Sequence, residues 1–312
     1  MTLYKAIAFA LGLSWVFSAA AQEPESCRTV RFAETGWTDI AATTTLTARI
    51  LRGLGYKTEE RLLSVPVTYA ALAMGDVDVF LGYWQPSMTP DMKPYAEDGT
   101  VETVRVNLAG AKYTLAVPQF VYDEGLKSFN DIARFADRLD YTIYGVEPGN
   151  DGNRIILSVI EKGAYSLGKF RLVESSEQAM LSEVEARIAA RQLIVFLGWE
   201  PHPMNARFKM AYLSGGDDFF GPDYGGATVS TNVRKGYMQH CPNVGRLLQN
   251  LEFSLDMENE LMSKILNDGQ EAEKAADDWL KANLSFVNTW LDGVKTWNGD
   301  NGLAALRVSL GH

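Results

Sequence analysis

An α/β fold built of two similar halves is what this sequence predicts, and three observations carry the prediction. Short apolar strands alternate with helical stretches in the order βαβαβ, once over residues 29–81 and again over 141–197. That order is the mark of a parallel sheet with crossover helices. Both units end on nearly the same residues, Val79-Phe80-Leu81-Gly82-Tyr83-Trp84-Gln85-Pro86 and Val195-Phe196-Leu197-Gly198-Trp199-Glu200-Pro201. The stretches 111–118 and 227–233 are extended and lie between and after the units, where a chain would cross between halves and return.

In the first half, Thr29 to Ala33 reads as a strand, and the loop Glu34-Thr35-Gly36-Trp37-Thr38-Asp39 leads into a helix stopped by Gly55. Thr38 or Asp39 is the expected N-cap. A strand over 58–63 passes through Pro66 into a helix over 67–74, which Gly75-Asp76 ends before a buried strand over 77–81. The second half repeats this plan. Its strand over 141–146 gives way to the loop Glu147-Pro148-Gly149-Asn150-Asp151-Gly152-Asn153 and a helix through Lys162. A strand over 170–173, a helix over 177–191 and a buried strand over 193–197 follow. The rest reads as helices over 234–255, 258–267 and 271–293. Trp279, Leu280, Leu284, Val287, Trp290 and Leu291 recur there at helical spacing, so Trp279, Trp290 and also Trp297 are expected in the core.

At 312 residues, with 46% hydrophobic and 22% charged residues, the chain has the length for two compact domains and an ordinary globular composition. Its start is different. Lys5, the apolar run Ala6 to Phe17 and Ser18-Ala19-Ala20-Ala21 form a secretory signal peptide pattern over 1–21, with an apolar run short for a membrane span. No lipidation cysteine stands at the cut, so a soluble exported protein of the periplasm is expected. The formal charge of −10 argues against nucleic acid and anionic membranes as partners. Cys27 and Cys241 are the two cysteines, and in an oxidising compartment such a pair is expected to form a disulfide. Closing so long a loop contributes roughly 4–5 kcal/mol in the chain-entropy account.

Trp37, Trp84 and Trp199 each stand near a Gly at a predicted strand end, apart from the tryptophans assigned to the core. Ligands of open α/β sheets bind outside the carboxyl ends of the strands, so these loops are candidates for one shared cleft. Flat aromatic faces stack on sugars, nucleobases or other rings, or enclose a cation. A quaternary ammonium has no N–H to donate, and each π face holding it contributes about 0.5–2 kcal/mol. Several such faces reach micromolar affinity or better when preformed. Few basic residues lie in these loops; Lys112 and Arg154 are the nearest, both expected to face solvent. Asp39 either faces a ligand's charge and hydroxyl or caps the helix that follows. Asn150 either bonds the same polar tail or serves the turn beside Gly149.

Gly36-Trp37-Thr38-Asp39, Gly82-Tyr83-Trp84-Gln85-Pro86-Ser87-Met88, Lys112-Tyr113, Pro148-Gly149-Asn150-Asp151-Gly152 and Gly198-Trp199-Glu200-Pro201-His202 carry a family likeness. The Ala276-Asp277-Asp278-Trp279-Leu280 to Trp290-Leu291 stretch shares it. The chain resembles the periplasmic substrate-binding proteins of ABC transporters for quaternary amines, most closely the choline-binding proteins, over essentially its whole mature length. That resemblance implies the two-lobed type II periplasmic binding protein fold, each lobe a mostly parallel sheet flanked by helices, closing on ligand between the lobes. The lobes are then 22–111 with 212–312, and 112–211. It implies an aromatic box of Trp37, Trp84, Tyr113 and Trp199 for trimethylammonium, with Asp39 and Asn150 on the choline hydroxyl. A monomeric carrier with a membrane permease as its partner follows, and the cysteine pair fits a family disulfide.

Glycine betaine shares the trimethylammonium head, but Asp39 would repel its carboxylate and leave it unpaired in a closed cleft. Choline is therefore expected, with acetylcholine a weaker ligand and betaine the alternative. An enzyme is not expected, nor a cofactor or metal site. The histidines are His202, His240 and His312, and no hydrolase elbow, Walker loop or zinc-protease motif is present. His202, beside Trp199, is expected to shape its Pro-flanked loop rather than to act as a base.

Overall fold

Strands form where the expected apolar runs fall in the structure, a computed structural model that describes residues 23–311. The signal peptide read over 1–21 lies outside the described residues. β1 (Thr29–Glu34), β2 (Lys57–Leu62) and β3 (Val79–Gln85) are joined through α1 (Thr38–Gly53) and α2 (Val65–Met74), and α3 (Thr89–Glu97) follows. Next comes β4 (Val101–Pro118), 18 residues long. β5 (Thr142–Tyr144), β6 (Arg171–Val173) and β7 (Phe196–Glu200) repeat the first plan through α4 (Asp151–Glu161) and α5 (Glu177–Ala189). β8 (Met210–Tyr212) and β9 (Gly226–Arg234) lead into C-terminal helices.

All the strands belong to one curled sheet with the order β2-β1-β3-β9-β4-β7-β5-β6, and β8 pairs beside β4. Each end of the sheet is a parallel triplet, β2-β1-β3 and β6-β5-β7. Antiparallel β9 and β4 join the triplets. β4 changes partner at Lys112, which pairs with Gly226 of β9 on one side and Glu200 of β7 on the other. The two extended stretches read as crossings are thus the two strands at the centre of the sheet. The chain has the type II periplasmic binding protein fold.

Several boundaries differ from expectation, each for a local reason. The strands carrying Trp84 and Trp199 do not stop at Gly82 and Gly198. Both continue, because β9 and β4 keep supplying partners: Trp84 pairs with Val229, and Trp199 with Tyr113. Gly82 is needed for close approach, since a Cβ there would lie 2.6 Å from Ile40 Cδ1. The N-cap of α1 is Trp37, with Thr38 and Asp39 inside the first turn. The helix expected over 234–255 is broken by Gly236, at φ +68°, and by Pro242, leaving Tyr237–His240 and Pro242–Asn250.

α1 lies buried between the sheet and the helices Leu255–Leu266 and Ala272–Ala282. It is rich in Thr, a poor helix former, yet Thr43 and Thr47 turn their hydroxyls back onto the Asp39 and Thr43 carbonyls at 2.9 and 2.8 Å. Those bonds satisfy polar groups in a dry setting. Trp279 and Trp290 stack at 5.9 Å between ring centres, and Trp297 meets Tyr56 edge-on at 5.5 Å. All three tryptophans are buried in the core, as expected. Cys27 and Cys241 form a disulfide with Cα atoms 5.5 Å apart. It joins the turn before β1 to the start of Pro242–Asn250.

Candidate functional site

Every parallel strand except the two at the sheet edges points its carboxyl end at one small cavity. Trp37 and Asp39 follow β1, Trp84 is next to last in β3, Asn150 follows β5 and Trp199 lies near the end of β7. Tyr113 reaches the same space from the middle of β4. All six residues singled out from the sequence therefore line one cavity, joined by Val146 and Asp151. Its empty space is small, about 270 Å³ with any open solvent at its mouth counted in. A compact headgroup suits it; an oligosaccharide does not.

The walls are aromatic and buried. Trp37, Trp84, Tyr113 and Trp199 are each 3–7% exposed. The Trp84 and Tyr113 rings stand 5.7 Å apart at 48°, and Phe220 backs Tyr113 edge-on at 6.2 Å. Gly152, in the first turn of α4, makes room for Tyr113: a Cβ there would come within 2.3 Å of the phenol oxygen. Burial holds the Tyr113 pKa well above its ordinary value, so the ring is a neutral phenol.

The polar groups are acidic or neutral. Asp39 is 1% exposed; its Oδ2 accepts from Trp84 Nε1 at 3.3 Å, while Oδ1 has no partner. Burial pushes its pKa up to about 7, and the Glu177 charge adds to the rise. Asp151 has both carboxylate oxygens unpartnered, and burial, helped by the Asp91 charge, raises it to about 6. Asn150 is the N-cap of α4, its Oδ1 accepting from Asn153 N at 3.0 Å and from the Tyr113 hydroxyl at 2.9 Å. With the acceptor used twice, its Nδ2 donor is what remains to offer. No Arg, Lys or His is among the lining residues. Such a space favours a cation with little to donate and disfavours an anion.

The basic residues expected to face solvent keep their side chains 42% exposed, and each is also paired. Arg154 Nη2 donates to the Ser87 carbonyl at 2.7 Å and to Asp91 at 2.6 Å, and Lys112 pairs with Glu200 at 3.2 Å. His202 is 1% exposed and shapes its loop: its Nδ1 accepts from Met204 N at 2.9 Å.

A sequence profile for the substrate binding domain of the ABC-type glycine betaine transport system matches residues 28–282. The chain belongs to this family of substrate-binding domains. Within reach of the family, an ABC-transporter choline binding protein solved in complex with choline is 60% identical over 93% of this chain and 100% of its own. The two superpose with a TM-score of 0.92. An ABC-transporter choline binding protein in an unliganded semi-closed conformation, also 60% identical over 92% of this chain and 100% of its own, gives 0.86. The glycine betaine/carnitine transport binding protein GbuC of Listeria monocytogenes is 29% identical over 164 residues, 53% of each chain. These relatives are transport binding proteins, not enzymes.

For this substrate-binding domain, sequence reading left out Val146 and Asp151 as cavity residues. Asp151 sits directly after Asn150 in the same loop, so adjacency was the available signal. Glu147, which bonds to Trp37, stands in that loop too, whereas Glu177, which bonds to Thr38, gave no signal: a Glu opening a helix reads as dipole compensation.

Proposed function

We propose that this chain is a choline-binding protein that delivers its ligand to an ABC importer. Trp37, Trp84, Tyr113 and Trp199 enclose the trimethylammonium group, the choline hydroxyl donates to Asp39 Oδ1, and Asn150 Nδ2 donates to the hydroxyl oxygen. One observation carries the reading: four rings drawn from both halves of the sheet surround a cavity with two buried carboxylates and no cationic lining residue. Closure of two lobes, 22–111 with 212–312 and 112–211, brings the rings together. Support comes from β4, which changes partner at Lys112. The higher TM-score against the choline complex than against the semi-closed form also favours a closed arrangement. Export to the periplasm through a cleaved leader, action as a monomer and handover to a membrane permease complete the proposal.

Glycine betaine is the second reading, favoured by the family profile's own description. Its carboxylate would meet Asp39 and Asp151 with no Arg or Lys in the lining, a costly burial of like charge. A thermal-shift panel of choline, acetylcholine, glycine betaine, proline betaine and carnitine separates the readings. A large shift with choline and little with betaine is expected; the reverse order sinks the choline assignment. In the same assay Gly152→Ala is expected to weaken choline about tenfold, because the added methyl displaces the Tyr113 wall. Unchanged affinity would show that the position of Tyr113 does not matter.

A further inference from the structure

We propose that Glu177 is the positioning residue that holds the cleft shut, by capping the ligand-facing helix α1 from the opposite half of the molecule. The inference rests on the choline reading and deepens it. The N-cap of α1 is Trp37, and it makes no side-chain capping bond. A helix start left in that state carries orphan N–H groups, and burying them unmet is unfavourable. Here Glu177, at the start of α5, supplies the missing cap. Its Oε2 accepts from Thr38 N at 2.8 Å and its Oε1 from Thr38 Oγ1 at 2.7 Å, 139 residues away in sequence. Glu177 is 0% exposed.

The same carboxylate reaches the far wall. His202 Nδ1 accepts from Met204 N, so the ring proton sits on Nε2, which donates to Glu177 Oε1 at 3.1 Å. That neutral ring lies edge-on to Trp199 at 4.7 Å between centres. Glu147 closes the circuit, its Oε1 accepting from Glu177 N at 3.0 Å and its Oε2 from Trp37 Nε1 at 3.0 Å. One carboxylate is thus bonded directly to Thr38, whose neighbours are Trp37 and Asp39, and through His202 to Trp199. It touches none of the ligand space itself. Every bond from α1 to Glu177 and Glu147 crosses between the halves. They exist when the cleft is closed and are replaced by water when it opens. A cap of this kind adds to ligand affinity without adding to the stability of an open, empty protein.

Glu177→Ala, Glu177→Gln and Thr38→Val, each titrated with choline by calorimetry and melted without ligand, test the proposal. Glu177→Ala is expected to weaken choline about 30–100-fold, and the other two about 5–10-fold. Thr38→Val should add almost nothing on top of Glu177→Ala. Ligand-free melting temperatures should stay within about 2 °C of wild type. A pH series adds a readout that a merely structural residue would not move. Asp39 feels the Glu177 charge, and the buried Glu258 in turn feels that of Asp39, so Glu177→Gln should shift the midpoint of choline binding against pH to the acid side. Unchanged affinity in Glu177→Ala overturns the proposal. So does a ligand-free melting loss that matches the affinity loss, or an unmoved midpoint. A wild type that ignores choline sinks the ligand assignment instead, and the same variants are then read with glycine betaine.

Discussion

Trp84→Ala is expected to weaken choline by two to three orders of magnitude while leaving a folded protein. Three losses coincide at this ring. A desolvated cation–π face contributes about 2 kcal/mol. The indole Nε1 donates to Asp39 Oδ2, so its removal takes the side-chain partner from a buried carboxylate oxygen. The Tyr113 ring, 5.7 Å away, also loses the neighbour that fixes its tilt. Together these amount to about 3–4 kcal/mol, at 1.4 kcal/mol per tenfold. Trp84→Phe keeps a face but no N–H, and should fall between wild type and Trp84→Ala. Trp279→Phe is the matched control: it disturbs the stacked Trp279–Trp290 pair, should lower the melting temperature, and should leave choline affinity unchanged. Calorimetry and thermal unfolding on the three variants check this. A folded Trp84→Ala that binds choline within threefold of wild type would remove the aromatic box from the mechanism.

That control works because the segregation of tryptophans was legible in the sequence. Trp37, Trp84 and Trp199 stand where parallel strands end, and Trp279 and Trp290 where a helix repeats, so periodicity alone sorted them. The order of the halves was legible for the same reason. The length of β4 was not. Its register slips between Thr103 and Arg105, between Val106 and Leu108 and between Ala109 and Ala111, and each slip breaks the alternation that would have marked a strand. α3 was hidden by Pro94 in its interior. The helix expected over 271–293 breaks at Asn283, whose side chain donates to the Trp279 carbonyl at 2.9 Å and competes with the backbone ladder. Within the site, what escaped was pairing across the cleft. Which carboxylate meets which helix start depends on closure of a sheet, and neither partner's neighbours in sequence encode it.

Lowering the pH should stabilise the empty protein and weaken its grip on choline, two opposite trends with a common origin at Asp39. Its pKa is raised from 3.8 to about 7 by burial first and by the Glu177 charge second. A carboxyl with a raised folded pKa binds more protons folded than unfolded over that interval, so its stabilising effect is complete below the unfolded value. That effect is lost as pH rises through about 7. Asp151, raised to about 6, and Glu34, raised by burial and Glu60 to about 7, act in the same direction. The ligand-free melting temperature should therefore climb between about pH 7.5 and 5. Choline reverses the preference, because a cation beside Asp39 favours the ionised carboxylate and binding below about pH 7 must expel a proton. Affinity should fall about tenfold per pH unit there and level off above. Asp39→Asn isolates the cause. It should weaken choline one to two orders of magnitude at pH 8 through loss of a charged hydrogen bond. It should also flatten the profile above about pH 6.5, with Asp151 leaving a shallow slope at the acid end. Calorimetry from pH 5.5 to 8 on both proteins decides it. A wild-type affinity that does not vary, or a variant that keeps the full slope, would take Asp39 out of contact with the ligand's charge.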